Sequence, residues 1–138
     1  MLGSEDVGRL KAAYEALNEG DSEAALEVLE PDAEWIEHST LPEAGTYQGR
    51  SAIRSFLVRF LESWHEFRQE IERIVEGGDR VALLLHSSAV GKGSGVEVET
   101  RYAHVWTMRG GRGVRVDTYE DWAEALESIE NLRASADA

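Results

Sequence analysis

Two side chains in this sequence are the leading candidates for moving a proton: the carboxylate of Glu37 and the imidazole of His104. Glu37 is next to last in a strand-like run, Ala33–His38, directly after Trp35 and Ile36. A carboxylate walled by an indole loses hydration and holds a proton more readily. That suits abstraction of a proton beside a carbonyl, or activation of a water. Trp106 and Phe60 are the other aromatic groups expected against it. His104 lies in the long run 96–108. A neutral imidazole there can donate to a ligand oxygen or shuttle a proton. The plainer readings are a solvated glutamate at a strand end and a core histidine satisfied by a neighbouring hydroxyl.

Other chemistries lack their spacing. The sequence has no cysteine, which excludes disulfides, thiolate metal sites and cysteine nucleophiles. His38, His65, His86 and His104 are scattered, with no HxH or HExxH pattern, so no metal site is expected. No serine sits in a nucleophile elbow. The Gly-rich GKGSG at 91–95 joins two strands and opens no helix, so it is a turn and not a phosphate cradle.

The elements that must carry these groups follow from periodicity. Val7, Leu10, Tyr14 and Leu17 recur at helical spacing, and Gly20 ends that helix. Ala24–Leu29 reads as a short second helix stopped by Glu30-Pro31. Residues 33–38 form a strand, and a loop over 39–48 is expected to act as a flap. A third helix starts at Ser51 with Ile53, Phe56, Leu57, Phe60, Leu61 and Trp64 on one stripe. Residues 70–76, 80–90, 96–108 and 114–120 read as strands joined by Gly-rich turns, hence an antiparallel meander. Trp122, Ala125, Leu126 and Ile129 mark a closing helix. The expectation is one domain over 1–138, with a core from about 5 to 131 and a frayed tail over 132–138.

Turn centres assign the faces. A turn centred on Gly93 puts Ala82 opposite His104 and His86 opposite Thr100; one on Gly111 puts His104 opposite Thr118. One face then carries Ala82, Leu84, His86, Tyr102, His104, Trp106 and Thr118. The other carries Val81, Leu83, Leu85, Val105 and Tyr119 within a charged rim. A 13-residue strand spans about 40 Å and must bend in so small a domain. The aromatic face is expected on the concave side under the helices. The apolar centre of the outer face resembles a homodimer patch.

The quoted segments AAYEALNEGD (12–21), PDAEWIEH (31–38), GTYQGRSAIRSFL (45–57), GSGVEVETRYAHVWTMRGGRGVRV (93–116) and DWAEAL (121–126) cover nearly the whole chain. With this element order they resemble the SnoaL-like branch of the nuclear transport factor 2-like superfamily, kin of ketosteroid isomerase and limonene epoxide hydrolase. The resemblance implies an α+β cone, a curved antiparallel sheet wrapped around helices in the order α-α-β-α-β-β-β-β-α. It places the general base of ketosteroid isomerase on Glu37 and a second oxyanion donor on His104. Counting back from Gly20-Asp21 puts the first-helix tyrosine of that enzyme on Ala13, with Tyr14 about 100° further round the helix and pointing elsewhere. The essential last-strand acid of cyclases and the epoxide hydrolase falls on Thr118, with Asp117 on the opposite face.

Three functions remain open on these grounds. The first is a cofactor-independent isomerase, cyclase or hydrolase acting on a small apolar oxygenated compound, with Glu37 and His104 catalytic. Trp35, Phe60, Trp64, His86, Tyr102, Trp106 and Thr118 would line its ligand pocket. The second is a binding protein using the same pocket. The third is a partner-binding domain whose hollow is plugged by aromatic side chains. A formal charge of −13 argues against nucleic acid and anionic lipid as partners. No run approaches the ~20 apolar residues of a membrane span, and the acidic first residues lack a signal peptide's apolar stretch, so a cytoplasmic protein is expected.

Overall fold

The computed structural model describes residues 4–38 and 44–137, in side-chain detail from 5 to 130. The elements are α1 (Ser4–Asn18), α2 (Ser22–Leu26), β1 (Leu29–His38), β2 (Gly45–Gln48), α3 (Arg50–Glu62), β3 (Trp64–Gly77), β4 (Arg80–Gly91), β5 (Glu97–Arg109), β6 (Arg112–Tyr119) and α4 (Trp122–Asp137). The strands make one curved six-stranded sheet in the order β2-β1-β6-β5-β4-β3, an α+β cone. The sheet is mixed and not wholly antiparallel, because β1 runs parallel to β6. β2 is an added strand within the expected flap segment; residues 39–43 of that segment lie outside the described residues.

Local chemistry sets the boundaries. Gly20, at φ +87°, takes the left-handed conformation that ends α1. Asp21 caps α2, its Oδ1 accepting from the Ala24 N–H at 3.1 Å. α2 stops at Leu26, and Leu29 already pairs with Gly113 of β6. Pro31 therefore ends no helix. It lies where the β1–β6 register shifts between Leu29 and Glu34, and a residue without an N–H is tolerated at such a bulge. Trp64 belongs to β3, two residues past the end of α3, and not to the helical stripe. α4 continues to Asp137, past the expected core boundary at 131.

Two apolar layers hold the sheet. On the concave side, Leu10, Ala13 and Tyr14 of α1, Leu26 and Ile53 pack against Val81, Leu83, Leu85, Trp106 and Val116. On the other side, Ala125 and Ile129 of α4 cover Ala82, Ala103 and Val105. The face assignment of β4 is thus inverted from the expected one. The β4–β5 hairpin pairs Leu83 with His104 and Val90 with Glu97, so its centre falls between Gly93 and Ser94 rather than on Gly93. Half a residue at the turn moves the pairing by one, and with a period of two every β4 side chain changes face. The expected His104–Thr118 and Trp106–Val116 pairs of β5 and β6 are present.

Candidate functional site

Glu37 is delivered by β1, whose parallel register sets it beside Thr118 of β6. Both carboxylate oxygens accept hydrogen bonds. The Trp35 Nε1–H donates to Oε1 at 2.8 Å, and the Thr118 hydroxyl donates to Oε2 at 2.6 Å. The two contacts fix the direction of the group.

His104 is buried in β5, opposite Thr118 on one side and Leu83 on the other. Its Nδ1 lies 2.6 Å from the Tyr14 hydroxyl, and the Trp106 Nε1–H donates to the same oxygen at 3.0 Å. Trp35 meets the imidazole edge-on, with ring centres 5.0 Å apart. Burial away from water disfavours the imidazolium and brings the His104 pKa down to about 3. The same cause pushes the Tyr14 phenol above its ordinary value. Glu37 and His104 therefore share two neighbours, Trp35 and Thr118.

Tyr14 corrects an expectation. It does not point elsewhere; Ala13 and Tyr14 both line the cavity below α1. Leu10, Ala13, Tyr14 and Leu17 form one stripe at i, i+3, i+4 and i+7, and a stripe wider than about 100° accommodates both neighbours. Tyr102, next along β5, accepts from the Gln69 side-chain amide, and burial pushes its phenol up to about 12. Gln69 is in turn held by Asn18. The Asn18 amide donates to the Gln69 carbonyl at 2.7 Å, and Asn18 Oδ1 accepts from the Gln69 N–H at 2.8 Å.

These groups surround a cavity of about 560 Å³. Glu37, His104, Trp35, Phe60, Trp64, Tyr102, Trp106 and Thr118 all line it. His86 does not. The shifted β4 register turns it outward, opposite Arg101, with Nε2 3.5 Å from Glu99 Oε1. Ser87 takes its place on the wall. Tyr14, Gln69 and Ser87 were not foreseen. A helix stripe carries a signal for Tyr14, but nothing in the sequence announces that Asn18 and Gln69 meet across 51 residues.

At the cavity rim, the exposed His38 stacks on Tyr119 at 4.6 Å between ring centres. Its Nε2 lies 2.8 Å from Asp117 Oδ1. Arg115 donates to both Asp117 oxygens at 2.9 Å. Burial alone would raise the Asp117 pKa, but the hydrogen bonds from Arg115 and His38 outweigh it and hold the carboxyl below its usual range. Among the described residues, no helix is long and apolar enough to cross a membrane.

Known proteins share this fold. The sequence profile of the SnoaL-like domain matches residues 10–116. TerC, crystallised with polyporic acid, shares 26% identity at a TM-score of 0.76, over 92% of this chain and 99% of its own. An NTF2-like protein from Burkholderia thailandensis E264 shares 28% identity at a TM-score of 0.72, over 88% and 95% of the two chains. A protein of ketosteroid isomerase-like fold from Catenulispora acidiphila DSM 44928, in complex with trimethylamine, shares 19% identity at a TM-score of 0.69, over 94% and 95%, a likeness of fold alone. Among curated proteins nothing matches the sequence. The chain belongs to the SnoaL-like domain family, within the nuclear transport factor 2-like superfamily.

Proposed function

We propose that the chain binds a small, largely apolar, oxygenated molecule and acts on it by proton transfer, as a cofactor-independent isomerase, cyclase or hydrolase. The observation that carries this reading is the pairing of a carboxyl group, Glu37, with a neutral imidazole, His104, across Trp35 and Thr118 in one aromatic cavity. Glu37 takes a proton from a carbon beside a carbonyl, or from a water. His104 donates a hydrogen bond to the oxygen on which negative charge develops. Apolar walls keep water from competing for both groups. A hollow of about 560 Å³ favours this over an aromatic-plugged partner domain.

Binding without chemistry is a second reading. One observation favours it: both Glu37 oxygens already hold a hydrogen-bond partner, so a substrate proton must compete with Trp35 or Thr118 for the carboxylate. The compound 1-tetralone separates the two. It is flat, mostly apolar and enolisable at C2, so removal of a C2 proton and return of a deuteron from D2O leave a mass and NMR signature. Proton transfer by Glu37 predicts accelerated exchange that falls by roughly 100-fold or more in Glu37→Gln. Binding with no acceleration supports the second reading. Neither binding nor exchange overturns both.

A further inference from the structure

We infer that Trp106 and Tyr14 lock His104 as the Nε2–H tautomer, so that the cavity presents a fixed neutral donor and selects ligands carrying an acceptor oxygen. This rests on the reading above that the cavity takes a small oxygenated molecule. Counting hydrogens along the chain of contacts leads to it. An indole nitrogen donates and cannot accept. The 3.0 Å contact from Trp106 Nε1 to the Tyr14 hydroxyl therefore fixes the Tyr14 oxygen as an acceptor. The phenol has one hydrogen, and its other contact is His104 Nδ1 at 2.6 Å. With the phenol donating, Nδ1 is the acceptor and the ring proton sits on Nε2. The reverse arrangement keeps the 2.6 Å bond but puts two donors on the Tyr14 oxygen and turns the phenol hydrogen of a buried side chain away from the imidazole, its one acceptor among these contacts. The imidazolium, which would protonate both nitrogens, is excluded near neutral pH because burial holds His104 down to about 3.

The opposite partner offers carboxylate oxygens: Glu37 Oε1 accepts from the Trp35 Nε1–H, and Oε2 meets the Thr118 hydroxyl, which also lies 3.2 Å from the Ile36 carbonyl. The polar part of the cavity thus sets a carboxylate on β1 against a neutral donor on β5. A ketone, quinone or enolate oxygen satisfies the donor; a hydrocarbon of the same outline leaves it unpaired. Tyr14 and Trp106 are positioning residues here, acting on the ligand through His104.

Two measurements decide it. In the 15N-labelled protein near pH 7, long-range 1H–15N correlation spectra should show His104 Nε2 as a pyrrole-type nitrogen and Nδ1 as a pyridine-type one. The His104→Asn spectrum supplies the assignment. A protonated Nδ1 overturns the inference whatever the ligand data show. In binding, 1-tetralone should be held about 5- to 10-fold more tightly than tetralin, the same skeleton without oxygen, as one neutral hydrogen bond provides. Tyr14→Phe should bring that ratio towards unity and average the two nitrogen signals. Should Tyr14→Phe fail to fold, Trp106→Phe, which lets the phenol turn, serves for the same comparison. Equal affinity for ketone and hydrocarbon with Nε2 protonated overturns the selection and leaves the tautomer standing. A cavity that takes neither probe overturns the ligand reading and the selection with it.

Discussion

At the scale of single residues, the burial of His104 has a cost in acid. The unfolded chain protonates an ordinary histidine at about 6.5, whereas folded His104 resists until about 3. Below about pH 6.5 the unfolded state binds more protons than the folded one, so stability falls as pH drops and is flat above. The slope from this group is at most about 1.4 kcal/mol per pH unit. Urea midpoints between about pH 7 and pH 5 should fall in the wild type and fall less in His104→Asn; equal slopes would contradict the burial of a neutral imidazole. Asp117, held below its usual range, acts in the same direction but lower: its contribution is complete above the ordinary aspartate range and is lost as pH falls below it. The place of Glu37 on the cavity wall was legible mostly through the family resemblance, which sets a carboxylate at the end of the first strand, and in part through its tryptophan neighbour. Tyr14 was not, because a count along a helix is uncertain by the one residue that separates it from Ala13.

Elements explain the other errors and one further sensitivity. The helix order and the meander could be read from periodicity and glycine-rich turns. The face of β4 could not, because GKGSG allows turn centres half a residue apart, and His86 went to the wrong side with it. The parallel β1–β6 pairing leaves no local mark, since no turn joins those strands. Next to that pairing, Gly113 is buried where the β5–β6 register shifts, and a Cβ there would stand 2.6 Å from Cε3 and Cζ3 of Trp106. Gly113→Ala should destabilise the fold by about 1–3 kcal/mol through overpacking. It should also displace the indole from Tyr14, visible as a changed tryptophan emission. An unchanged melting temperature would mean that β6 yields instead. Asp21→Ala should cost about 1 kcal/mol by removing the α2 cap, read by the same melt.

For the whole molecule, 27 acidic against 14 basic residues predict self-repulsion. Raising ionic strength from about 0.01 M to 0.1 M shortens the screening length from about 30 Å to about 10 Å. The melting temperature should rise; a fall would show that ion pairs such as Arg101–Glu72 and Arg54–Glu23 outweigh the repulsion. The apolar centre expected on the outer face is not there: Val81, Leu83 and Leu85 lie in the core under the helices, and α4 covers Val105 together with Ala82 and Ala103. We propose that a homodimer forms on the strip α4 leaves open, around Leu84, His86 and the Arg101–Glu72 pair. Light scattering at micromolar concentration should give twice the chain mass, and Arg101→Glu should halve it; a monomeric wild type would refute the interface.

The parallel seam between β1 and β6 also sets the order of assembly. Glu37 and Thr118 meet across 81 residues, and Tyr14 and His104 across 90. The hairpins of β3 to β6 close over short turns, whereas the seam must first gather the distant ends of the chain, a slower search. On refolding, sheet signal should thus return before 1-tetralone can bind, the cavity being the last room finished.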